Sequence, residues 1–198
     1  MTISGIDVFS PQFKRSIVVS SDSDLWLLSS VLSRITATSI TVNNNCGNSA
    51  SFTSLDFTPF SLLRQITIGD NCFGNVRKVK LSGLSKLESV VIGDDCFMYV
   101  SELKMIGLSE LEKVEIGEYS FTQHKNSWSN DPNRHFCVKN CPKLKSLKMG
   151  RYSFSDYGVI EIENVNALES IEMGDLNEES YNFYSASLEL KSILIHSE

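Results

Sequence analysis

The chain has 198 residues, 41% of them apolar and 21% charged, with 18 Lys and Arg against 24 Asp and Glu and a net charge of -6. This composition excludes a disordered tail, a collagen-like chain and a strongly basic nucleic-acid binder. No apolar run reaches the roughly 18 residues that a membrane span needs, and five cysteines, an odd number, fit reduced thiols better than a disulfide framework.

The opening residues Met1 to Asp7 show neither a basic start nor an apolar block, so no secretory signal is visible. Ile17-Val18-Val19 then reads as a strand, and Ser21-Asp22-Ser23-Asp24 as a helix N-cap cluster. Leu25 to Leu32 follow as a short amphipathic helix with Leu25, Leu28, Val31 and Leu32 on one face. Ile40-Thr41-Val42 reads as a second strand, and Asn43 to Asn48 as a turn. Residues 1–50 are thus expected to form a strand-helix-strand cap with Trp26 in its cover.

From residue 51 onward the sequence repeats. Ile68-Gly69-Asp70-Asn71-Cys72-Phe73 returns as Ile92-Gly93-Asp94-Asp95-Cys96-Phe97, Ile116-Gly117-Glu118-Tyr119-Ser120-Phe121 and Met149-Gly150-Arg151-Tyr152-Ser153-Phe154, then in degraded form as Met173-Gly174-Asp175-Leu176. The glycines are spaced 24, 24, 33 and 24 residues apart. Upstream of each lie six apolar positions, such as Val79, Leu81, Leu84, Leu87, Val90 and Ile92, or Leu103, Met105, Leu108, Leu111, Val114 and Ile116. Pairs such as Val90-x-Ile92 alternate with period two and predict strands of about three residues. The three-residue steps between the pairs predict tight turns, and the glycine after the second strand is expected to turn the chain through positive φ. Strands this short must stack on their neighbours. The expected fold is a β-rich solenoid with little helix, its short strands stacked as parallel sheets. Residues 51–198 hold five repeats and a closing half repeat around Leu190, Ile193 and Ile195, with an insertion at 122–135.

Leu87-Glu88-Ser89-Val90-Val91-Ile92-Gly93-Asp94-Asp95-Cys96-Phe97 resembles the leucine-rich repeats, in particular the BspA-like type, over residues 52 to 195. The period is 24 where that type usually has 23, no proline follows the first strand, and the invariant asparagine of other leucine-rich repeats is missing. The resemblance implies a noncatalytic protein-binding surface, with cell-surface adhesion as its more specific version.

Candidate chemistry is sparse. His124, His135, Cys137 and Cys141 lie close in sequence, but Cys141 takes the inward register of Leu84 and Leu108. Cys137 takes the outward register of Lys80 and Lys104, so the two do not converge on a metal. Cys72, Cys96, Ser120 and Ser153 share one register. Neighbouring coils about 4.8 Å apart would allow a Cys72 to Cys96 disulfide, yet serine in the same register favours small side chains tucked under the next phenylalanine. No nucleophile elbow or phosphate-binding glycine loop occurs, so neither an enzyme nor a cofactor is expected.

Charge is more informative. Arg134 to Arg151 carries six bases and no acid, whereas Glu161 to Glu198 carries nine acids and one lysine. Stacking sets Lys145 between Glu112 and Glu169, Lys148 between Glu115 and Glu172, and Arg151 between Glu118 and Asp175, with Lys143 following Glu110. The basic run is therefore expected to hold the stack through pairs across coils. The insertion, Thr122 to His135, is polar but for Trp128, and is expected to project from one face, with Trp128 either an exposed anchor for a partner or folded back onto the solenoid.

The expected function is recognition of a protein partner. The candidate contact residues are Trp128, His124 and Arg134 in the insertion, Lys80 and Lys104 on one strand face, and Val91, Glu115 and Lys148 on the other. The alternatives are an assembly subunit pairing through its C-terminal edge, or a fragment of a cell-surface adhesin. A cytoplasmic location is favoured for the chain as it stands, and the cell surface if it is a fragment.

Overall fold

The computed structural model describes residues 15–123, 131–175 and 179–192. It begins with β1 (Arg15–Val19), a 3₁₀ helix (Asp22–Leu28), α1 (Val31–Thr36) and β2 (Ala37–Val42). The repeats follow as β3 (Ser54–Asp56), β4 (Gln65–Ile68), β5 (Lys78–Lys80), β6 (Ser89–Ile92), β7 (Glu102–Ile106) and β8 (Lys113–Ile116). After the insertion come β9 (Asp131–Lys139), β10 (Ser146–Met149), β11 (Tyr157–Glu163), β12 (Ser170–Met173) and β13 (Ser187–Lys191).

From β3 to β12 each coil gives one strand to either side of a flattened solenoid. A seven-stranded sheet runs β1-β2-β4-β6-β8-β10-β12, and the other strands form a two-stranded sheet, β3-β5, and a four-stranded one, β13-β11-β9-β7. All pairs are parallel, and across an uninterrupted coil partners lie 24 residues apart, as in Ile68 with Ile92 and Ile92 with Ile116. The inward registers of the first four repeats, from Leu55 to Met149, pack in a single core together with those of the cap strands; only Val79 among them is partly exposed. The three-residue steps close as turns, with the amides of Leu63, Leu87 and Leu111 donating to the carbonyls of Phe60, Leu84 and Leu108 at 3.0–3.2 Å.

Of the five repeating glycines only the last, Gly174, turns the chain through positive φ, at 68°; the other four have a different role. Gly69, Gly93, Gly117 and Gly150 do not adopt positive φ; the left-handed residues are Asn71, Asp95, Tyr119 and Tyr152, and then Phe73, Phe97, Phe121 and Phe154. Glycine is required by close approach. A Cβ on Gly93 would lie 2.8 Å from the carbonyl carbon of Gly69 and 2.9 Å from the amide of Asp70. The left-handed residues turn their amides toward neighbouring coils instead. The amide of Asp95 donates to the carbonyl of Glu118 at 2.9 Å, and that of Phe121 to the carbonyl of Cys96 at 2.8 Å.

The same geometry explains why cysteine and serine interchange. The Cys96 thiol donates to the carbonyl of Gly69 at 3.1 Å, and the Ser120 hydroxyl to that of Gly93 at 2.8 Å. Each also accepts the amide of its counterpart in the preceding coil, from Cys72 at 3.4 Å and Cys96 at 3.0 Å. Cys46 belongs to this ladder as well, because its carbonyl takes the amide of Phe73 at 3.0 Å. Two extra residues in that coil hide it from a 24-residue alignment. With β1 and β2 in the large sheet, residue 50 marks no break in the stacking.

The N-terminal helix departs from expectation. It is broken at Ser29 and Ser30 into a 3₁₀ turn and a six-residue α-helix. The break resets the rotation, so Leu28 is buried and Leu25 partly buried, whereas Val31 and Leu32 face solvent and Ser33 faces inward. Trp26, expected in the cover, is 62% exposed.

Candidate recognition surface

Strand register brings three of the expected contact residues together. Thr67, Val91, Glu115, Lys148 and Glu172 align across β4, β6, β8, β10 and β12 on the outer face of the large sheet. Val91, Glu115 and Lys148 line one side of a groove of about 1060 Å3, and Asp94, Glu118 and Arg151 line the other. Between these rows the backbone passes through Gly93, Gly117 and Gly150, which contribute no side chain.

The remaining candidates lie elsewhere. Lys80 in β5 and Lys104 in β7 belong to the smaller sheets, where Lys80 meets Asp56 at 3.6 Å and Lys104 pairs with Glu102. His124 and Trp128 lie outside the described residues. Arg134 is a correction. It is 1% exposed, because β9 starts at Asp131 and carries the end of the insertion into the core. Its Nη2 donates to the carbonyls of Phe121 at 3.0 Å and Met98 at 3.2 Å, its Nε lies 3.4 Å from Asp156 Oδ1, and its guanidinium covers the Tyr157 ring at 4.7 Å. Only Nη2 is hydrogen-bonded, Nε and Nη1 being buried without a hydrogen-bond partner, but a guanidinium held this deep anchors the insertion and presents nothing to a partner. Thr122, at the other end of the insertion, is buried and hydrogen-bonded to Ser155 at 2.7 Å.

The charge layers pair as expected. Lys143 meets Glu110 at 2.7 Å, Lys145 meets Glu112 at 3.2 Å, Lys148 meets Glu172 at 3.4 Å and Arg151 meets Glu118 at 2.8 Å. The cysteines are all free and buried. Cys137 departs from the exposure that its outward register suggests. Its register is outward, but it lies between Lys104 and Glu161 on adjacent strands and is 2% exposed. Burial pushes the thiols of Cys46, Cys137 and Cys141 above the ordinary thiol range. Among the described residues no three His, Cys, Asp or Glu side chains come together as a metal site, and no helix is long and apolar enough to cross a membrane.

Stacked parallel coils, one hydrogen-bonded ladder per register and a shared core define the class: the chain is a parallel β-solenoid repeat protein. No protein-family model, curated protein or solved structure matches it.

Proposed function

We propose that this solenoid is a noncatalytic recognition module of the leucine-rich-repeat class, BspA-like in type, which binds a protein partner across the outer face of its large sheet. The observation that carries the reading is the groove between the Val91-Glu115-Lys148 and Asp94-Glu118-Arg151 rows. It offers a mainly acidic lining, with Lys148 and Arg151 among Asp94, Glu115, Glu118, Glu172 and Asp175, over a backbone floor, an arrangement suited to positioning an extended segment of another protein by electrostatic complementarity. The leucine-rich-repeat assignment rests on the Leu-x-x-Val-x-Ile-Gly-x-x-Cys-Phe string of residues 87–97 and its copies.

The test is capture of binding proteins by the immobilised chain, with wild type beside Val91→Arg combined with Lys148→Glu, and beside Trp128→Ala. Loss of a captured protein in the double variant at unchanged melting temperature supports the sheet face. Retention there with loss in Trp128→Ala transfers recognition to the insertion, and no specific capture by wild type rejects the module reading.

A second reading, assembly through the C-terminal edge, draws on β13. There Leu188 and Leu190 are exposed although they pair with the buried Ile160 and Ile162. Mass in solution separates the two readings, since a monomer at all concentrations contradicts assembly.

A further inference from the structure

At the N-terminal end, Leu25, Trp26, Leu28, Phe52 and Leu55 wall a cavity of about 360 Å3, far along the stack from the β8 and β10 part of the groove. Its size falls within the range of small-molecule sites, which are mostly apolar with a few convergent polar groups. Here those groups are Arg34 and Asp56, with two serines. Asp56 is already answered, since it accepts the amide and hydroxyl of Thr58 at 2.9 and 2.7 Å and meets Lys80 at 3.6 Å.

Arg34 is not answered. Its Nε is buried without a hydrogen-bond partner, and its guanidinium makes no ion pair among the described residues. Buried donors are normally paired with protein or water, so this one marks a place for an acceptor that no described residue supplies. Asp56 meets Lys80, which is outside the lining, so Arg34 is the one cation of the lining and has no ion pair among the described residues. The exposed Trp26 and the arginine are also of the residue types enriched where binding energy concentrates.

We propose that this cavity is a binding site for a small amphiphile with an apolar body and a single carboxylate. The apolar body replaces water against Leu25, Leu28, Phe52 and Leu55, and the carboxylate accepts charge-assisted hydrogen bonds from Arg34. A neutral hydroxyl headgroup would forfeit the charge, and an ammonium headgroup would be repelled. This site goes beyond recognition by the sheet face and does not depend on it.

Titration calorimetry of the full chain with octanoate, octanol and octylammonium tests the assignment. Octanoate is expected to bind saturably at one site, about tenfold or more tighter than octanol, with octylammonium weakest. Arg34→Met, which keeps an apolar stem, should abolish the preference for octanoate over octanol, and Arg34→Lys should keep part of it. The proposal is overturned by no saturable octanoate binding, by equal affinity for octanoate and octanol, or by a preference that survives in Arg34→Met. Should the variants fail to fold, the order of the three ligands on the wild-type chain decides.

Discussion

The phenylalanine that closes each repeat gives the most demanding test of how the stack is held. Phe73, Phe97, Phe121, Phe154 and Phe183 form a continuous column, with successive ring centroids 5.3, 5.1, 4.9 and 5.1 Å apart. Phe121 is fully buried, stacked between Phe97 at 20° and Phe154 at 7°. Replacing it with alanine removes a ring from the middle of the column, where neither neighbouring coil can close without breaking its strand register. Removing a buried phenylalanine in this way costs about 3–5 kcal/mol. For a chain of this size that corresponds to a melting temperature lower by about 6–20 °C.

A second substitution separates packing from backbone strain. Phe121 has a φ of 57°, a region that disfavours any residue with a Cβ. Phe121→Gly loses the same ring but relieves that strain, so it should be the more stable of the two variants by about 1 kcal/mol, reversing the usual order of alanine over glycine. Urea unfolding followed by circular dichroism measures both differences, with an unchanged slope showing that the extent of unfolding is unchanged. A loss below about 1 kcal/mol for Phe121→Ala would refute the claim that this column supplies a large packing contribution at each coil.

Three further outcomes are expected. Gly93→Ala should destabilise by about 1–3 kcal/mol, because the added methyl meets backbone of the adjacent coil. Gly83→Ala, at a φ of +77° with nothing within 4 Å, should cost only about 1 kcal/mol of backbone strain; equal thermal shifts would contradict the close-approach argument. Lys145→Glu with Lys148→Glu should lower the melting temperature modestly, since these half-exposed pairs are each worth about 0.2–1 kcal/mol. The difference should shrink in about 1 M salt, and a salt-independent effect would point to another cause. Burial raises the Asp56 pKa, but the Thr58 hydroxyl and amide and Lys80 outweigh it and bring the carboxyl below its ordinary 3.8. Its stabilising effect is therefore present above that ordinary pKa and lost as pH falls through the lower folded value. The stability advantage of wild type over Asp56→Asn should narrow between about pH 5 and pH 2, and a gap that widens on acidification would reverse the assignment.

Much of this architecture is legible in the sequence because a solenoid writes the same contacts once per coil. Ile68, Ile92 and Ile116 recur at 24 residues because each pairs with the one before, and Lys145 finds Glu112 because β8 and β10 stay in register across the enlarged 33-residue coil. Trp26, Arg134 and Cys137 could not be read in the same way. Each depends on a contact that occurs once: the break at Ser29, the Asp156 carboxylate, and the cover of one strand by its two neighbours.

The candidate site divides along the same line. The alignment of Val91, Glu115 and Lys148 follows from period and strand alternation, but the facing row of Asp94, Glu118 and Arg151 completes the groove only in the folded chain. The Arg34 cavity left no periodic trace, because Leu25, Phe52 and Leu55 come from segments of unequal length around the first coils. The sequence by itself therefore determined the coil length, the inward registers and the charge layers, since these are local patterns repeated until chance is excluded. Tertiary structure alone decided the close approach at the glycines, the burial of Arg134 and Cys137 and the exposure of Trp26. Those depend on distances between groups in the folded chain, which a pattern of residue types does not state.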